Sequence, residues 1–312
     1  MSARTGTRGT RVSINEVAPR DGLQMESRFV PTADKIAFVD ALSDCGFAKI
    51  EVSSFTSPRA IPALADAEIV LREIRRAAGV VYTALVPNLR GMERAIESRV
   101  DELNLVMSCS ESHNRANLRM AREASLAQLL EIVRSAAGCG VRCNVSLSTA
   151  FGCPFEGVVD VEEVARLAGA LVEGGASGIT LCDTTGMAAP LDLRAVLARI
   201  GRVLPLDAVT IHLHDTRGLA LANALAALEC GAMRFDASCA GLGGCPYAPG
   251  ASGNVGTESL VHLFECMGCE TGVDLARLLE VARGVPALVG RDLANPLLAA
   301  GPRTRLHPMP QR

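Results

Sequence analysis

Eight apolar stretches with strand character recur along the chain, and helical patterns fill the intervals between them. The stretches are Val12–Pro19, Ala48–Ser54, Val80–Val86, Glu102–Ser108, Val141–Thr149, Gly178–Asp183, Val209–His214 and Arg234–Ser238. A strand–helix repeat builds a parallel sheet, because parallel neighbours need a long crossover. Eight such units predict an α/β fold of the (β/α)8 TIM-barrel type. The rival, a doubly wound open sheet, calls for a glycine-rich turn after its first strand. Here that strand runs into the charged segment Pro19, Arg20, Asp21, Gly22.

The clearest helix follows Asp160. Val164, Leu167, Ala168, Leu171 and Val172 share one face, Asp160 with Glu163 reads as a capping box, and Gly174 with Gly175 as the stop. A second helix covers Leu219–Glu229 and ends at Gly231. Residues 12–256 are expected to form the barrel of a single-domain chain. Residues 257–312 are expected to add a small C-terminal helical extension, with helices near Glu258–Met267 and Asp274–Arg283, and a frayed tail.

Composition narrows the function. With 49% hydrophobic residues the 312-residue chain has material for a large core, and its net charge of −3 gives no basic excess for a phosphate backbone. No nucleic-acid partner is expected. No apolar run is long enough to span a bilayer. Eleven irregularly spaced cysteines, several inside apolar runs (Cys182, Cys230, Cys239), read as reduced thiols of a cytoplasmic protein. The segment before Val12 is basic and lacks acids, as a transit peptide would, but with the first strand expected to begin near Val12 it is expected to be too short for one.

Barrel chemistry gathers at the C-terminal ends of the strands. There the chain places Arg20 and Asp21, Glu51, Asp183, the pair His212 and His214, and the run from Gly241 to Asn254. Strand side chains alternate faces, so His212 and His214 point the same way, about 7 Å apart along the strand. Two inward imidazoles without an ion or an acid need costly buried partners. Asp21 and Asn254 offer oxygen donors, and two nitrogens with two oxygens favour Mn²⁺ or Mg²⁺ over structural zinc. Cys245 sits among Gly241, Gly243, Gly244, Gly250 and Gly253, which suggests a thiol on a mobile lid. Cys266-x-x-Cys269 is a lone pair and reads as structural; His113 and His262 read as surface or core residues.

Five segments together resemble the 3-hydroxy-3-methylglutaryl-CoA lyase family. They are residues 16–24 (EVAPRDGLQ), 50–55 (IEVSSF), 182–184 (CDT), 212–216 (HLHDT) and 240–248 (AGLGGCPYA), in that family's order. The glycine–cysteine loop is the most specific. The first and fourth segments are shared more widely, by metal-dependent barrels such as isopropylmalate and homocitrate synthases. The resemblance implies metal ligands Asp21, His212, His214 and Asn254. It implies that Arg20 meets the thioester carbonyl, that Cys245 is the catalytic thiol, that Glu51 and Asp183 are acids of the pocket, and that Gln24 and Ser54 join Arg20 in binding substrate. It further implies an acyl-CoA substrate. A homodimer is expected, although no residue specifies it.

The expected reaction is a retro-Claisen cleavage to acetyl-CoA and acetoacetate. An ion would acidify the hydroxyl, Arg20 would hold the enolate oxygen, and Cys245 would protonate the enolate carbon. Asp183 and water at the ion are both candidate bases. Met25, Arg59–Ala60 and Arg217 depart from the usual family residues, which leaves a related 3-hydroxyacyl-CoA or citramalyl-type thioester as an alternative substrate. A condensing acyltransferase is the alternative reaction.

Overall fold

The computed structural model describes residues 9–244, 253–306, 308 and 309. Its strands are β1 Ser13–Glu16, β2 Lys49–Ser54, β3 Val81–Leu85, β4 Glu102–Ser108, β5 Arg142–Ser148, β6 Gly178–Asp183, β7 Val209–Leu213 and β8 Arg234–Ala237. All pair in parallel in sequence order, and β1 closes on β8. The expected TIM barrel is observed. Helices Thr32–Ser43, Ala67–Glu73, Leu89–Glu97, Arg122–Gly138, Val161–Glu173, Pro190–Ile200 and Ala220–Cys230 follow the first seven strands. Thr257–Cys266 follows β8 and packs on β1 and on Ala220–Cys230. Leu275–Val289 packs on Thr32–Ser43.

The helix after Asp160 starts as expected, with the Asp160 carboxylate accepting from Glu162 N at 3.0 Å. The reciprocal half of the capping box is missing, because Glu163 instead pairs with Arg166 and Arg122. Helix Ala220–Cys230 ends on Gly231 in the left-handed conformation.

β1 is shorter than the expected Val12–Pro19. Pro19 has no N–H to continue a ladder. The chain curls instead into a π-helical turn, Ala18–Gly22, in which the amides of Arg20, Asp21 and Gly22 all reach Val17 O. Gly22 is required there: a Cβ would lie 2.7 Å from Leu242 Cβ. The curl lifts Arg20 and Asp21 onto the rim.

The barrel interior carries a polar stack instead of aliphatic layers. Asn144 donates to Asn104 and Thr180 at 3.0 and 2.9 Å, and Asn104 donates to Glu51 at 2.7 Å. The hydrophobic core lies mainly outside, between strands and helices.

Candidate metal centre and active-site cavity

At the C-terminal rim, one ligand atom each from Asp21, His212 and His214 falls within 4.8 Å of the others. The two Nε2 atoms lie 3.9 and 4.0 Å from Asp21 Oδ2. These separations are beyond hydrogen-bond reach and suit three donors sharing one cation. The rings of His212 and His214 are 5.2 Å apart, as neighbours on one face of β7. Asn254 arrives on a short return segment. It bridges to His214, and Val255 N bonds Leu213 O at 3.0 Å. Its Nδ2 donates to Asp21 Oδ2 at 2.8 Å, while its Oδ1 is buried and without a hydrogen-bond partner among the described residues. An orphaned amide oxygen beside two imidazoles and a carboxylate fits a divalent ion, since such a group otherwise costs about 1–3 kcal/mol.

Electrostatics prepare these donors. Burial opposes the charge on Asp21, but Arg20 and then the two imidazoles outweigh it, holding the carboxyl well below the usual range. Burial and the neighbouring His212 push His214 down to about 4, so its ring is neutral and able to ligate. For His212 burial acts the same way, but the Asp236 carboxylate wins and raises it.

Arg20 is built into the rim. Its Nε donates to Glu51 Oε2 at 2.7 Å and its Nη1 to Asp21 Oδ1 at 2.5 Å. Burial alone would weaken the guanidinium's hold on its proton; Asp21 and Glu51 more than restore it. Glu51 is itself raised by burial, partly offset by Arg20. Its oxygens are occupied by Arg20 and Asn104, so Glu51 orients Arg20 from below.

These groups open into a cavity of about 390 Å³. Arg20, Asp21, Gln24, His212 and His214 line it, with Met25, Ile61, Leu85 and Pro87 as an apolar wall. Ser54 is not in the lining; its hydroxyl bonds Thr56, which is. Asp183 also departs from expectation. Alternation along β6 turns Cys182 and Thr184 into the cavity and Asp183 away from it. The Asp183 carboxylate instead accepts from Met187 N and Ala188 N at 2.8 and 3.2 Å, and burial pushes it up to about 6. Cys245 lies outside the described residues, although Gly244 before it lines the cavity.

Several lining residues were not anticipated. His113, read as surface or core, is buried in the wall, with Nδ1 2.7 Å from Ser108 Oγ. The signal was Ser110, which caps helix Glu111–Leu118 and sets His113 in its first turn, just above β4. Asp236 also faces inward, two residues after Arg234 on a strand whose only marker was its apolar Phe235. Asn104, Ser146 and Ser148 complete the polar side. The ten cysteines among the described residues are free, and no helix there is long and apolar enough to cross a membrane.

The model of the HMGL-like family matches residues 11–285. The hydroxymethylglutaryl-CoA lyase of Bacillus subtilis is 45% identical over 91% of this chain and 95% of its own length. The mitochondrial hydroxymethylglutaryl-CoA lyase of Gallus gallus is 41% identical over 86% of this chain and 91% of its own. The solved structure of an HMG-CoA lyase from Acinetobacter baumannii, in complex with coenzyme A and 3-methylmalate, superposes with a TM-score of 0.92 and 46% identity, covering 99% of this chain and 100% of that one. The barrel, the rim donors and these relatives agree along nearly the whole sequence, and the chain belongs to the HMGL-like family.

Proposed function

We propose that this chain cleaves 3-hydroxy-3-methylglutaryl-CoA to acetyl-CoA and acetoacetate, with Mg²⁺ or Mn²⁺ held by Asp21, His212, His214 and Asn254. The observation that carries this reading is the convergence of three ligand atoms beside a fixed guanidinium in one cavity. The named activity of relatives 41–45% identical supports it.

In the reaction the tertiary hydroxyl loses its proton, its carbon becomes the ketone of acetoacetate, and the bond to the thioester's α-carbon breaks. That carbon leaves as the enolate of acetyl-CoA and is then protonated. Asp21, His212, His214 and Asn254 would hold the divalent ion, which when bound would supply the Lewis acidity that favours loss of the hydroxyl proton. Arg20 supplies the charge for the enolate oxygen. Two of its five donors are tied to Glu51 and Asp21, so the remaining N–H groups are pre-aimed. A donor fixed in this way is worth about 3–4 kcal/mol of barrier. Cys245, one residue beyond the cavity-lining Gly244, is the proposed acid for the enolate carbon. Met25, Ile61, Leu85 and Pro87 give this cavity an apolar wall. Asp183 contributes by holding the loop before helix Pro190–Ile200 against β6.

An adjoining hollow of about 320 Å³ shares Gln24, Met25, Ala60 and Ile61 with the main cavity and adds Phe29 and Pro62. Its apolar lining suits the pantetheine arm of an acyl-CoA. The A. baumannii relative holds coenzyme A together with a small hydroxy dicarboxylate. That pairing keeps a citramalyl-type thioester as the second reading.

The test is incubation of the purified chain with 3-hydroxy-3-methylglutaryl-CoA and Mn²⁺ or Mg²⁺ under reducing conditions. Equimolar acetoacetate and acetyl-CoA, abolished by a chelator, is the expected result. No cleavage by folded, metal-loaded protein overturns the substrate assignment and moves the assay to the citramalyl-type thioester.

A further inference from the structure

We propose that Asp236 is a positioning residue that fixes the tautomer of His212 and thereby sets the affinity of the metal site. The inference rests on the metal reading above.

Asp236 stands between two strands in one layer of the barrel. It is paired in register with His212 on β7 and with Asn15 on β1. Its Oδ1 accepts from Asn15 Nδ2 at 2.8 Å. Its Oδ2 lies 3.3 Å from His212 Nδ1, at the long edge of a hydrogen bond. An ionised carboxylate only accepts, so the proton of a neutral His212 belongs on Nδ1. The Nε2 lone pair is then free, and Nε2 is the atom that faces Asp21. In the opposite tautomer Nε2–H would donate toward Asp21, and Nδ1 would turn a lone pair onto Asp236. That state is repulsive on one side and offers no ligand on the other.

His214 shows that this support is selective. Its Nδ1 is buried with no hydrogen-bond partner, and so no carboxylate sets that ring, among the described residues. Asp236 is also not a ligand itself. It lies outside the cluster of converging donors, and both its oxygens are engaged. A carboxylate behind a ligating imidazole raises the ligand's basicity and locks its orientation, and its loss typically weakens metal binding roughly 10–100-fold.

Two measurements test this without assaying turnover. Long-range ¹H–¹⁵N spectra of the metal-free chain at mildly alkaline pH report the tautomer of each histidine, and His212→Ala assigns the relevant signal. The Nδ1–H form of His212 is expected; an Nε2–H form overturns the proposal even if no Asp236 variant folds. Mn²⁺ titration followed by electron paramagnetic resonance then compares the parent with Asp236→Asn. A loss of roughly 10–100-fold, with an unchanged thermal midpoint for the metal-free protein, is expected. A midpoint that falls in step with affinity assigns Asp236 a structural role and overturns it. Equal affinity overturns it while leaving the metal reading intact. Failure of the parent itself to bind Mn²⁺ overturns both.

Discussion

Arg20 spends its Nε on Glu51 and its Nη1 on Asp21, and this divides the labour at the rim. One carboxylate fixes the guanidinium and the other links it to the metal ligands. Arg20→Lys keeps the charge but removes the planar fork, so it cannot serve both acids and an enolate together. Turnover should fall by about 10²–10³ with folding intact; near-parental turnover would remove Arg20 from the reaction. His214→Ala deletes one of three converging donors, and the variant should no longer retain Mn²⁺ through gel filtration. Full retention would refute the site. These residues were legible because each is a chemically costly type at a strand end. Asp236 and His113 were not, because one sits on a four-residue strand and the other in a helix after β4. Asp183 lies off the cavity by strand parity, which its residue type does not reveal: its neighbours Cys182 and Thr184 carry the inward phase.

At the scale of elements, the alternation of strand and helix was readable because each helix buries one face against the sheet and each strand is short and apolar. Ends were less readable, since they depend on hydrogen bonds that no propensity reports. The π-helical turn after β1 is the example: with three amides on Val17 O, the strand stops at Glu16 and the last three expected strand residues, Val17–Pro19, fall outside it. The neck of the glycine–cysteine loop is another case. Gly243 has φ +123°, and a Cβ on Gly253 would lie 2.3 Å from the Gly243 carbonyl oxygen. The two ends of the loop therefore meet backbone to backbone, and Asn254 follows at once. Gly253→Ala should lower the thermal midpoint and weaken Mn²⁺ binding together, because it displaces the segment that delivers Asn254. A variant indistinguishable from the parent in both would show that the neck is not constrained. Within the loop, Cys245→Ser should leave Mn²⁺ affinity unchanged and remove most of the turnover.

At the scale of the whole molecule, the barrel and the C-terminal helices meet on a buried acid. Glu16 faces away from the barrel interior and accepts from Ala18 N, Cys239 N and the Thr257 hydroxyl at 2.8, 2.9 and 2.8 Å. One side chain thus ties β1 to the root of the glycine loop and to the helix after β8. Nearby, Glu258 accepts from Ala240 N and Asn295. Burial pushes Glu16 up to about 8, against the pull of its three donors, and Glu258 adds to the rise. The folded pKa lies above the ordinary 4.5, so the folded state holds this proton more tightly than the unfolded chain. The stabilisation is complete below pH 4.5 and is lost as pH climbs toward 8. Glu16→Gln mimics the protonated acid and keeps a carbonyl for the two amides, while the Thr257 hydroxyl can turn to accept. The parent's thermal midpoint should therefore fall between about pH 5 and pH 8, and that of Glu16→Gln should fall less. If the two curves run parallel, the folded and unfolded states hold this proton equally, and the three donors offset the burial of Glu16.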